Sequence, residues 1–136
     1  ELMSRVDEVP IAMALAQAAN ESAWGTSRFA VEGNNIFGQW CFEQGCGLVP
    51  LQRKGNASYE VRKFDSIGAS VSAYIKNINS QYSYEELRGR RARMRSRNEP
   101  LNAFDLVAGL AAYSERGEDY VDEIRSLIVQ NELDRL

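Results

Sequence analysis

Apolar and polar positions alternate in helical rhythm near both ends of the chain and lose that rhythm in between. Over 8–22, Ile11, Ala14, Leu15 and Ala18 recur at helical spacing. Pro10 suits a first helical turn, where its missing N–H is no loss, and Gly25 offers a stop. From Asp65 onward a second helix is predicted, with Ile67, Val71, Tyr74, Ile75 and Ile78 on one face and Asp65 or Ser66 as cap. Ser83-Tyr84-Glu85-Glu86 has the spacing of a capping box and predicts a further helix. Asn102 is placed to cap another, apolar at Phe104, Val107, Leu110 and Ala111. The last helix carries Tyr120, Val121, Ile124, Leu127 and Ile128.

Residues 29–64 break the pattern. Glycines at 33, 38, 45, 47 and 55, with Asn34, Asn35 and Asn56, are turn signals. The short apolar stretches between them predict a hairpin, Leu48–Leu51 against Ser58–Lys63 across the Lys54-Gly55-Asn56 turn. The fold class expected is mostly α (α+β): one domain over 1–136, with a small β-hairpin or loop lobe at about 29–64 after the first helix. A length of 136 residues suits one domain, and 44 % apolar with 26 % charged residues is a globular composition.

Composition narrows the chemistry. The chain has no histidine, which excludes Ser-His-Asp triads, Cys-His pairs and His-ligated metals. Proton transfer must fall to carboxylates, tyrosines or lysines, and no metal or organic cofactor is expected. A net charge of −3 gives no ground for a nucleic-acid partner, and no apolar run approaches the ~20 residues of a membrane span. The start at Glu1, without Met or signal peptide, suggests a fragment or mature product from which any targeting segment has been lost, and leaves open whether an anchor was removed. Six arginines within Arg88–Arg97 are expected on a solvated helix face, partly neutralised by Glu85, Glu86 and Glu99. Cys41 and Cys46 are either free thiols or a short disulfide loop; a close pair without other metal ligands favours the disulfide and an oxidising compartment.

Glu21 is the leading candidate for chemistry. It lies where the first apolar helix runs out, in Ala18-Ala19-Asn20-Glu21-Ser22-Ala23-Trp24-Gly25. A helix C-terminus and an apolar wall both disfavour a carboxylate, so the setting suits a general acid. The plainer reading is a solvated glutamate at a helix end. A second carboxylate would complete acid–base work on a glycosidic bond, with Glu43, Glu60 and Asp65 as candidates. Glu60, flanked by Tyr59 and Val61 on a predicted strand, should point opposite to both. Trp24 and Trp40 could pack on sugar rings, and Asn34, Asn35 and Gln39 could bond hydroxyl or acetamido groups. Phe37 is expected to pack inward.

The stretch 16–25, followed by Gly33-Asn34-Asn35-Ile36-Phe37-Gly38, resembles the signature of bacterial peptidoglycan N-acetylglucosaminidases of the flagellar-muramidase type, glycoside hydrolase family 73. Trp40-Cys41-Phe42, Gly45-Cys46-Gly47-Leu48-Val49-Pro50 and Tyr113-Ser114-Glu115-Arg116-Gly117 with Tyr120 resemble its Bax-like branch. The resemblance implies a lysozyme-like α fold with a small β lobe, cleavage after N-acetylglucosamine in peptidoglycan glycan strands, and an extracytoplasmic location. It places the catalytic acid at Glu21, the second carboxylate at Glu60, the active-site tyrosine at Tyr113, and Tyr120 near substrate. In some related enzymes the substrate's own acetamido group replaces the second carboxylate. After Tyr113 the sequence runs Ser-Glu-Arg, where the wider family has Ala-Thr-Asp. A lytic transglycosylase and a non-catalytic glycan-binding module are the rival readings, although the Gly-Leu-Met-Gln segment usual in the former is absent. The sequence leaves the oligomeric state open.

Overall fold

The computed structural model describes residues 2–136. Among them the helices are α1 (Leu2–Arg5), α2 (Ile11–Ser22), α3 (Arg28–Gly33), α4 (Ile67–Ser80), α5 (Glu85–Ser96), α6 (Ala103–Leu106) and α7 (Glu118–Gln130). Tight 3-10 turns occupy Tyr82–Tyr84, Val107–Tyr113 and Leu133–Arg135. Strands β1 (Trp40–Cys41), β2 (Gly47–Leu48) and β3 (Glu60–Arg62) form an antiparallel sheet in the order β1-β3-β2. The fold is therefore mostly α with a small β lobe, consistent with a lysozyme-like fold. No helix among the described residues is long and apolar enough to cross a membrane. The chain divides into two compact units, Glu1–Gln17 with Ile75–Leu136, and Ala18–Tyr74.

In the first unit, Tyr120, Val121, Ile124 and Ile128 of α7 are buried, as their helical spacing predicts. Asn102 caps α6, its Oδ1 accepting from the Asp105 N–H at 3.2 Å. The predicted α-helix then tightens into the 3-10 run Val107–Tyr113. That run packs against α5 at Gly109, where a Cβ would stand 2.6 Å from both Cα and Cβ of Leu87. The capping box at Ser83 does not form; the turn Tyr82–Tyr84 leads into α5, which has no side-chain cap.

Two expectations are corrected in this unit and in α2. Ile11 and Leu15 are exposed, while Ala12, Met13, Ala16 and Ala19 are buried. Alanines fit either face of α2, so the long apolar side chains alone misplace its buried stripe. The arginine run is also not simply a solvated face, because Arg88 and Arg91 are buried. Arg88 Nη1 donates to the carbonyls of Ile78 at 2.9 Å and Gln81 at 2.7 Å. Arg91 donates to the carbonyls of Ser4, Asp7 and Glu8 and to Asn79 Oδ1. The fork geometry of a guanidinium thus holds the segment before α2 onto α5.

In the second unit, β3 is the central strand: Val61 pairs with Trp40 on one side and with Leu48 on the other. The predicted hairpin exists, but β2 begins at Gly47 and is only two residues long. Trp40–Cys41 adds a third strand that the apolar pattern did not reveal. Gly47 permits this close pairing, since any Cβ there would collide with the Val61 backbone. Ser27 caps α3 and Ser66 begins α4, each hydroxyl accepting an N–H three residues on. Phe37 is buried and lies flat on Tyr74, with ring centroids 3.9 Å apart. Val61 and Phe64 join them in the core of this unit.

Candidate active site

Glu21 is the penultimate residue of α2. The chain then passes through three consecutive left-handed residues, Ala23 (φ 49°), Trp24 (φ 57°) and Gly25 (φ 79°). A left-handed Trp is costly and persists only where its surroundings fix it. Ser22 does much of this. Its buried hydroxyl donates to the Ala18 carbonyl at 2.5 Å and accepts from the Gly25 N–H at 2.8 Å. The Trp24 N–H reaches back to the Ala19 carbonyl at 2.9 Å, and Ser27 N–H to the Ser22 carbonyl at 3.0 Å. Each residue after Glu21 therefore helps to end the helix abruptly beside its carboxyl group. Trp24 itself is 62 % exposed.

The loop 34–39 approaches the same carboxyl group. Gly38 has φ +70°, and a Cβ built on it would stand 3.0 Å from Glu21 Oε2. Asn35 fixes the loop. Its buried Nδ2 donates to the carbonyls of Gln39 and Arg62, both at 2.9 Å, and its Oδ1 accepts from the N–H groups of Phe37 and Gln39. Gln39 Nε2 donates to the Ser70 carbonyl at 3.1 Å, and Asn34 Nδ2 to that of Phe64 at 3.0 Å. Asn34, Asn35 and Gln39 were expected to meet substrate, but the structure turns their amides to loop building. The sequence suggests that Trp24 and the loop 34–38 close a wall over Glu21; the structure shows that Gly38 is where the loop meets the carboxyl group. The sequence signal of that approach is a glycine closing Asn34-Asn35-Ile36-Phe37-Gly38, where a positive φ needs one.

Glu60 has a different employment from the one expected. It is buried on β3, opposite Cys41, and its Oε2 and Oε1 accept the N–H groups of Gly45 and Gly47, each at 3.0 Å. The Gly45 N–H and then the Gly47 N–H hold its carboxyl below the usual glutamate range, with nearby Arg53 assisting and burial opposing. Both oxygens of Glu60 are thus engaged by backbone donors. Glu43 and Asp65, the other candidates, are exposed.

Cys41 and Cys46 are joined in a disulfide, with Cα atoms 6.3 Å apart. Trp40 is 51 % exposed and stacks on Tyr59 with ring centroids 4.0 Å apart. In the first unit, Tyr113 is half-buried and stacks on Tyr120 at 5.6 Å. Tyr120 was expected near substrate, but it is 1 % exposed and its hydroxyl accepts from Gln17 Nε2 at 2.9 Å. It offers no surface to a glycan. Among the described residues, no cluster of three or more Cys, Asp or Glu side chains suits a metal ion.

Comparison with known proteins assigns the class. The family model described as "Glucosaminidase: Mannosyl-glycoprotein endo-beta-N-acetylglucosaminidase" matches residues 1–133, and the chain belongs to this glucosaminidase family. It is 34 % identical over 131 residues to "Protein bax" of Escherichia coli (strain K12), a match covering 96 % of this chain and 46 % of that protein. The chain thus spans less than half the length of this relative. No solved structure matches.

Proposed function

We propose that this chain is a peptidoglycan hydrolase that works outside the cytoplasm and cleaves the β-1,4 bond after N-acetylglucosamine, with Glu21 as general acid. The observation that carries the reading is the setting of Glu21. A helix ends beside it, and a loop with no side chain at Gly38 closes on its carboxyl group. Such a group can be held at a fixed position against a leaving-group oxygen. Family membership supports the reaction class, and the sequence resemblance to peptidoglycan-cleaving branches supports the choice of polymer. The Cys41–Cys46 bridge supports an oxidising compartment.

Glu21 protonates the glycosidic oxygen as the bond breaks. Because Glu60 is committed to Gly45 and Gly47, we assign the assisting role to the substrate's own acetamido group. Trp24 and Trp40 offer exposed aromatic surface to sugar rings. Mass spectrometry of purified peptidoglycan after digestion tests this. Products with N-acetylglucosamine at the reducing end are expected. Anhydro-sugar ends would indicate a lytic transglycosylase instead, and undigested wall a binding module.

A further inference from the structure

We propose that Glu60 is a positioning residue: with the Cys41–Cys46 bridge it forms one device that sets the 42–46 loop as a glycan-contacting arm carrying Phe42 beside Trp40. The proposal rests on the glycan reading above and adds a subsite to it.

Cys41 faces Glu60 across the β1–β3 pair. The Glu60 carboxylate reaches over that pair to hold Gly45 and Gly47, the residues on either side of Cys46. One carboxylate therefore grips both flanks of one cysteine while its strand partner is the other. Gly45, at φ +86°, gives the turn, and the Cys46 N–H closes it on the Glu43 carbonyl at 3.0 Å. A loop held this way keeps the two sulfurs close even before they are joined, so the carboxylate and the bridge reinforce each other. A general base has no need of two backbone donors on its two oxygens; an anchor does.

The loop also displays something. Phe42 is 69 % exposed and Trp40 51 % exposed, two positions apart where β1 leads into the cross-linked loop. One face of Trp40 is covered by Tyr59. Exposed aromatics on a cross-linked loop are poor choices for a solvent surface and good ones for the apolar faces of pyranose rings.

The test uses wild type, Glu60→Gln, Phe42→Ala and the Cys41→Ala/Cys46→Ala pair, with melting curves to confirm folding. The first readout is titration with a dithiol, which is itself oxidised to a disulfide as Cys41 and Cys46 become two thiols. Glu60→Gln should reduce at about tenfold lower dithiol concentration, because a neutral amide cannot accept from both glycine N–H groups. The second readout is the kinetics on soluble glycan strands. Glu60→Gln, Phe42→Ala and the Cys pair should each raise KM by about fivefold or more with kcat within about threefold, and adding Glu60→Gln to the Cys pair should add little. Reduced wild type should match the Cys pair. Loss of kcat at unchanged KM in Glu60→Gln would return Glu60 to the chemistry and overturn the proposal, as would unchanged reducibility or an unmoved KM. If wild type cleaves no glycan, the reading under Proposed function fails, and the dithiol titration alone still decides whether Glu60 and the bridge are one device.

Discussion

Gly38 lies against the carboxyl group of Glu21, so closely that a methyl group on Gly38 would stand 3.0 Å from Glu21 Oε2. The contact is built from both sides. Ser22 and Gly25 end α2 just past the glutamate, and Asn35 holds the glycine's loop in place. A general acid works only where its proton faces the leaving atom, and misplacement by about an ångström can cost on the order of 10²-fold in rate.

Gly38→Ala should therefore lower activity more than stability. The positive φ adds strain of about 1–2 kcal/mol, and the new methyl displaces the Glu21 carboxyl. A drop in kcat of about tenfold or more is expected, with a modest loss in melting temperature. Wild-type kcat in a folded Gly38→Ala protein would show that this approach does not position the acid.

Arg91 is the strongest stability prediction. It is 1 % exposed and donates to four acceptors from two stretches of the chain, 4–8 and Asn79. Among the described residues its Nε has no hydrogen-bond partner and lies 3.9 Å from Asp7 Oδ2, so the site is costly to rearrange. Arg91→Ala should destabilise by about 3 kcal/mol in denaturant titration, because a buried side chain and its hydrogen bonds to part-buried acceptors are lost. Arg91→Lys should rescue little, since an ammonium cannot span the same set.

Asp7 gives that cluster a pH signature. Hydrogen bonds from Arg95 hold the Asp7 carboxyl below its usual range, with the Glu8 N–H and the Arg95 and Arg91 charges adding to this and burial opposing it. A lowered folded value means that the stabilisation is complete above the ordinary aspartate value of ~3.9 and is lost as pH falls through the lower folded value. Asp7→Asn should be less stable than wild type near neutral pH, and the gap should close below about pH 4. A gap that persists unchanged into strong acid would contradict the assignment.

The stripe of α7 was legible and is buried, whereas α4 was legible only in part: Tyr74 and Ile78 of its predicted face are buried, but Ile67 and Ile75 are exposed. α2 was misread because its alanines carry no directional information, leaving exposed Ile11 and Leu15 to mislead. β1 was missed because a two-residue strand has no period to detect. In the candidate site, the sequence pointed to Glu21 but could not tell a side chain that meets substrate from one that builds the loop beneath it. Asn35 and Gln39 have the chemistry for both, and their partners, Arg62 and Ser70, lie far along the chain. Glu60 shows the same limit. Alternation placed it opposite Tyr59 and Val61, but only the fold shows that Gly45 and Gly47 wait on that side.

Glu21→Gln tests the central claim most directly. The substitution removes the transferable proton and nearly keeps the shape, so the protein should melt close to wild type. Cleavage of purified peptidoglycan, followed by release of new reducing ends, should fall by at least ~10²-fold, the usual effect of losing an acid–base group. A folded Glu21→Gln protein that releases reducing ends at close to the wild-type rate would contradict the account.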